Sequence, residues 1–279
     1  MKPLLERLNS IGFERTRRAV AALSLSLFVF FFLALGLLMW LNGQTAWVPA
    51  FVGLALAYGV AFMGVAAEWF WGRWFAAGLG WSGVMIAVAG LVQLGGWNPV
   101  MGVYGGLHGL VVLMLGGAKM AERYELQPAW RERYGMDEFG VARLRKTVTR
   151  ASASLPSVIL WALAPKEPGQ AIFATATFAA GLLAVAGLAG LVRARSWGLV
   201  ALAGATLALV VGGASAYPHF NVAFGPLFED FLGPRPGLQF AQSWAYEALV
   251  TGPAVPVLLL GASLAPFVRP AARFLAARR

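Results

Sequence analysis

The stretch KMAERYELQPAWRERYGMDEFGVARLRKTVTR, residues 119–150, decides how the rest of the chain is read. It holds eight of the 22 Lys and Arg residues: Lys119, Arg123, Arg131, Arg133, Arg143, Arg145, Lys146 and Arg150. Hydrophobic runs lie on both sides of it. Positive charge of this density stays on the cytoplasmic side of a bilayer, so this one segment orients every apolar run around it. Within it, Asp137 is placed to cap a helix whose first turn carries Glu138. Val141, Leu144 and Val148 then recur at helical spacing with cations on the other faces. That pattern predicts a basic amphipathic helix on the inner leaflet.

The composition names the solvent. The chain has 279 residues, 59% hydrophobic and 12% charged, with a mean hydropathy of +0.69. An ordinary soluble domain carries about 25% charged residues. A globule of this length cannot hide so much apolar surface, so lipid must take part of it. The apolar runs are continuous, not the alternating strands of a barrel. The expected class is an all-α, polytopic helical membrane protein.

Charge counting sets the number of crossings. Apolar spans are read at 19–41, 46–67, 75–94, 100–117, 170–192, 196–216 and 245–268. Residues 151–165 are apolar but short, with Pro156 inside. If they cross, only Lys166 and Arg235 among the 22 basic residues fall outside, and Arg193, Arg195 and the tail all fall inside. The sequence therefore predicts about eight transmembrane helices, four before the basic segment and four after. In order, these regions are a cytoplasmic amphipathic N-terminus (1–18), a first membrane half (19–118), the basic segment (119–150), a second membrane half (151–268) with an outer amphipathic loop (217–244), and a basic cytoplasmic tail (269–279). The polar N-terminus followed by a long apolar run predicts a retained first span rather than a cleaved signal. Both termini are expected in the cytoplasm, in a plasma (inner) membrane. The runs 109–118 and 209–214 look alike but sit in spans that are not equivalent in a duplicated chain, so they predict no repeat.

The net charge of +10 is explained by the same asymmetry together with anionic lipid headgroups at the cytoplasmic face. The cations follow span ends rather than an aromatic-interleaved patch, which argues against nucleic acid. Cysteine is absent, which removes disulfides, thiolate catalysis and Cys-based metal centres. The four lysines lie outside span centres, the two aspartates are far apart, and no phosphate loop or nucleophile elbow is present. Retinal binding, magnesium-dependent prenyl or phosphatidyl transfer and nucleotide chemistry are thereby excluded.

A few residues remain as candidates. His108 stands near mid-span with Tyr104 one turn before it, and an ionisable group at that depth is a functional candidate. Either it forms a hydrogen bond across a helix interface, or it serves as a proton relay or as an axial ligand to a tetrapyrrole. Gly102, Gly105, Gly106 and Gly109 on the same helix, and Gly204, Ala208 and Gly212 on a later one, read as helix-packing faces. They predict that the fourth, sixth and seventh spans form the interior. Glu68 and Glu247 sit at span ends on opposite sides of the membrane. His219 lies in the outer loop near Glu229 and Asp230. No acid–base pair or metal triad gathers in the sequence, and no cofactor is required. The chain is expected to be a non-catalytic subunit packing and docking within a larger membrane assembly, with membrane-protein partners or further copies of itself. The alternatives are a transporter or channel with His108 in its path, and a lipid-modifying enzyme.

Overall fold

A computed structural model of the chain describes residues 13–93, 96–135, 137–166, 169–216 and 254–276. Among the described residues all regular structure is helical. The helices are α1 (Phe13–Leu41), α2 (Val48–Ala66), α3 (Gly72–Gln93), α4 (Pro99–Leu115), α5 (Ala118–Glu125), α6 (Pro128–Tyr134), α7 (Glu138–Leu163), α8 (Ala171–Val192), α9 (Trp197–Ala216) and α10 (Ala254–Ala276). Five are long and apolar enough to cross a membrane, or six if α4 and α5, bent by 72°, count as one span. The N-terminus before Phe13, the amphipathic loop at 217–244 and the far end of the tail lie outside the described residues, as do Arg235, His219 and Glu247.

Local chemistry explains where the helices begin and break. Asn98 caps α4, its side chain accepting from the N–H groups of Val100 at 2.9 Å and Met101 at 3.2 Å, and Pro99 occupies the first turn where no N–H is needed. Asp137 caps α7 as its position predicts, accepting from the Gly140 N–H at 2.6 Å. The chain leaves α4 through Gly116 and Gly117, the latter at φ 90°. The carbonyls freed at this break are taken up by cations. Arg17 donates to Leu113 at 2.9 Å and Gly116 at 2.6 Å, and Arg73 donates to Leu115 at 2.7 Å.

The largest departure from the sequence reading is α7. The basic helix expected on the leaflet and the short crossing expected at 151–165 are one helix of 26 residues. The physical reason is phase. Val141, Leu144, Val148, Ala151, Leu155 and Val158 form an unbroken stripe at three- and four-residue steps, and all are buried. The stripe runs straight through Arg150, so the charge there does not end the helix. Residues from Arg145 to Leu163 can rise about 27 Å at ~1.5 Å each, enough to remove the shortness of that crossing. At the other end of the chain, α10 continues past residue 268 into the expected tail.

The helices pack as two rings of four. α1 meets α2 and α4, and α3 meets the same two. α7 meets α8 and α10, and α9 meets the same two. The rings are joined where α7 lies on α2 and α3. The grouping of the fourth, sixth and seventh spans is therefore not observed: α4 belongs to the first ring, α8 and α9 to the second. The two rings also share a hairpin. GVAAEWFWG at 64–72 links α2 to α3, and GLVRARSWG at 190–198 links α8 to α9. Each first helix ends with a residue in the left-handed region, Glu68 at φ 55° and Ala194 at φ 54°. In each, the next N–H turns back to the glycine carbonyl, Trp69 to Gly64 at 3.0 Å and Arg195 to Gly190 at 2.9 Å. In each, the second glycine passes directly over the first. A Cβ on Gly72 would lie 2.2 Å from the Gly64 oxygen, and one on Gly190 2.8 Å from the Gly198 Cα. The tryptophan before the second glycine closes both corners. Helix order and ring closure thus recur in the two rings, and the hairpin recurs 126 residues on, Gly64 to Gly190 and Gly72 to Gly198, while α4 and α10 begin 155 residues apart, at Pro99 and Ala254. This repeated arrangement is carried by residues other than the 109–118 and 209–214 runs.

Candidate functional site

His108 is fully buried in the first ring. Its Nδ1 lies 2.8 Å from the Tyr104 carbonyl and its Nε2 lies 2.6 Å from the Tyr58 hydroxyl. A carbonyl oxygen only accepts, so Nδ1 carries the proton. Nε2 is then the acceptor, and Tyr58 donates to it. The imidazole is neutral, with one tautomer set by its two neighbours. The Phe28 ring covers one side at 3.7 Å between centroids, and Tyr104 leans in at 4.3 Å. Gly83 of α3 leaves room for the ring, since a Cβ there would fall 2.0 Å from His108 Cδ2. The lone pair that an axial ligand must offer is the one Tyr58 uses. Phe28 and Gly83 occupy the space a macrocycle would need, so this arrangement does not fit a tetrapyrrole.

The glycines expected to pack divide on inspection. A Cβ on Gly105 would fall 2.6 Å from the Ala87 methyl, and one on Gly102 2.3 Å from the Trp97 ring. Gly109 is loosely packed, with Val84 at 3.9 Å, and Gly106 has nothing within 4 Å. Gly212 faces Ala176 and Thr177 at 3.3 Å, Gly204 faces Leu183 at 3.3 Å, and Ala208 packs against the core. Two of the closest helix approaches are at glycines the sequence reading passed over, Gly78, where a Cβ would lie 1.9 Å from Ser152 Oγ, and Gly83 itself; Gly53, also passed over, faces Ile159 and Leu163 at 2.9 Å.

A second cluster lies where the basic segment meets the first ring. Glu68 pairs with Arg18 of α1 and with Arg123 of α5 at 2.6 Å, and its backbone carbonyl accepts from Gln127 at 3.0 Å. Glu125 is 7% exposed. It pairs with Arg73 of α3 and with Arg145 of α7 at 3.0 Å, and accepts from the Trp74 indole at 2.8 Å. Tyr124 donates to the Val65 carbonyl at 2.9 Å, and Trp130 donates to the Tyr124 carbonyl at 3.0 Å while stacking on Phe70 at 4.4 Å. The basic segment is thus bolted onto the ends of α2 and α3. Glu125, Arg73, Tyr58 and Phe28 were missed as site residues. Glu125 was hidden among many charges, but Tyr58 could have been found as the other polar ring at mid-span depth.

Among the described residues no three His, Asp or Glu side chains gather in a way that could hold a metal ion. His108 has no carboxylate partner among them, and Glu68 and Glu125 face arginines. The arrangement holds helices in register; it presents no free nucleophile or base at these three residues. Compared with protein families, curated proteins and solved structures, the chain finds no match.

Proposed function

We propose that this chain is a non-catalytic integral membrane protein that packs and docks within a larger membrane assembly. The observation that carries the reading is the fate of its polar groups inside the helix bundle and at its inner end. His108 uses both nitrogens inside the first ring, and Glu68 and Glu125 are spent on arginines of the same chain. Polar chemistry at depth serves helix registration, while wide apolar faces are left outward. On α1 alone Leu23, Phe30, Leu37 and Trp40 are more than half exposed, at 62%, 68%, 56% and 59%. Outward apolar faces suit lipid and other membrane helices.

In this reading the chain crosses the plasma (inner) membrane eight times, four helices per ring, with both termini in the cytoplasm. The support is the charge asymmetry, the length of α7 and the even number of helices in each ring. α7 fails a simple hydropathy criterion because it is charged at one end, yet its buried hydroxyls are satisfied. Thr147 donates to the Ser263 carbonyl at 2.7 Å, Ser152 to Val148 at 2.8 Å and Ser154 to Ala151 at 2.8 Å. The cations at the inner ends meet anionic lipid headgroups.

The test is purification in a mild detergent from the native membrane, with native mass spectrometry of what remains bound. The expected result is the chain in a defined stoichiometry with protein, and His108→Ala should lower thermal stability while leaving that stoichiometry intact. A lone monomer would count against the assembly reading. A His108→Ala protein of unchanged stability but lost function would return His108 to the transport path.

A further inference from the structure

The repeated arrangement has an unpaired end. Inside the chain, α7 opens the second ring and seats on the α2–α3 face of the first. Gly78 and Gly53 make the seat: a Cβ on Gly78 would lie 1.9 Å from Ser152 Oγ, and one on Gly53 2.9 Å from both Ile159 and Leu163. The equivalent of α7 in the first ring is α1. Ala21, Leu25, Phe28 and Phe32 face the interior of the first ring at the same offset at which Thr147, Ala151, Ser154 and Val158 are buried in α7. At that offset Ser26 stands for Ser152, and Leu33 and Leu37 for Ile159 and Leu163. The serines even share a local bond, Ser26 donating to the Leu23 carbonyl at 2.8 Å and Ser152 to Thr149 at 3.2 Å. The equivalents of Gly78 and Gly53 are Gly204 and Ala179, on α9 and α8.

Among the described residues both halves of this second interface are open. On α1, Leu33 and Leu37 are 45% and 56% exposed. On the α8–α9 face, Ala179 and Gly204 at the seat are only half-buried. Among the described residues Gly204, whose counterpart is pressed on by α7, has only Leu183 of the adjoining helix within reach of a Cβ. Small residues alone would not single out this face; the copy of the interface already built inside the chain does.

We propose that copies of this chain associate head to tail in the membrane, α1 of one copy seating on the α8–α9 face of the next as α7 seats on α2–α3. This rests on the assembly reading above and names its partner as a second copy. The contact is heterologous, so it propagates into a closed ring or an open row rather than stopping at a two-fold dimer.

The chain has no cysteine, so cross-linking starts from a blank background. Ser26→Cys and Gly204→Cys are placed in one chain, and native membranes are oxidised. The expected result is a shift from monomer to a reducible ladder extending beyond the dimer on a denaturing gel. Leu37→Cys with Ala179→Cys gives a second pair that leaves Gly204 intact. Ser26→Cys with Val210→Cys, off the face, should give no ladder. Two results overturn the proposal: no ladder from either pair, or a dimer from Ser26→Cys alone at the yield of the pair, which would mean a symmetric α1–α1 contact. If neither pair cross-links but a different protein co-purifies, self-association fails while the assembly reading stands. If neither pair cross-links and the chain purifies alone, both fail.

Discussion

Tyr58 is the residue on which the first ring's interior depends. Among the described residues its hydroxyl is the proton donor to His108 Nε2, and Tyr104 is the other polar ring against the imidazole. Tyr58→Phe keeps the ring contacts with Phe28 and Phe32 but orphans a buried acceptor. A loss of about 1–2 kcal/mol in folding stability is expected, read as a fall in unfolding temperature in detergent. A loss indistinguishable from zero would show that Nε2 finds another donor. Lys166 makes a prediction of a different kind. Its ammonium sits just past the C-terminal end of α7, over the Phe173 ring at 5.7 Å, and burial pushes its pKa down to about 8. An ordinary lysine titrates near ~10.4, so the folded chain gives up this proton first. The sign follows: between about pH 8 and the unfolded value the unfolded chain holds more protons, and this group's contribution to stability rises with pH through that window. Acylation of intact cells with an impermeant amine reagent, followed by peptide mapping, should modify Lys166 with half-maximal rate near pH 8, while Lys119 and Lys146 stay unmodified. Protection of Lys166 at every pH would place that end of α7 inside.

At the scale of the element, Glu125 shows how the basic segment is held. One carboxylate joins α5 to Arg73 and Trp74 of α3 and to Arg145 of α7. Removing one member of a buried pair leaves an uncompensated charge, a loss of about 3–5 kcal/mol. Glu125→Ala is therefore expected to unfold at much lower temperature, and Arg73→Leu with Glu125→Leu to recover most of the difference, since the orphaned cation is gone. If the double variant is as weak as the single, Glu125 matters through Trp74 or Arg145 instead. These contacts also show which parts of the fold were legible in advance. Asp137 and Asn98 are local signals, and each caps the helix that follows it. The apolar runs that became α1, α2, α3, α8 and α9 are long enough to declare themselves. The course of α7 was legible only as a phase, because Arg143, Arg145, Lys146 and Arg150 interrupt the hydropathy but not the Val141-to-Val158 stripe. The partners of Glu125 lie on helices far apart in sequence, and no spacing rule within one segment reveals them. The duplicated hairpin was present in the sequence too, but its shared letters are two glycines and one tryptophan, and their meaning rests on the left-handed residues Glu68 and Ala194 between them.

For the whole molecule, the two rings behave as separate bodies with one seam. Each closes on itself through four helices, and the seam is the contact of α7 with α2 and α3, reinforced by Arg145 on Glu125. The covalent link across it runs through α5 and α6 and leaves α6 at Gly135, which is exposed and at φ 57° with open space around it. Chain continuity there contributes loop-closure entropy and little packing. Cutting the gene after Gly135 and expressing both parts together is expected to give two polypeptides that co-purify through a tag on either one. The seam survives the cut because its contacts are made by side chains on helices that stay whole: Ser152, Ile159 and Leu163 on one part, Gly53 and Gly78 on the other. Gly78→Leu would drive a side chain into Ser152 and the Thr149 carbonyl, and should abolish co-purification without preventing the second part from inserting. Parts that fail to associate even with Gly78 intact would mean that the α5–α6 connection, not the helix seam, holds the rings together.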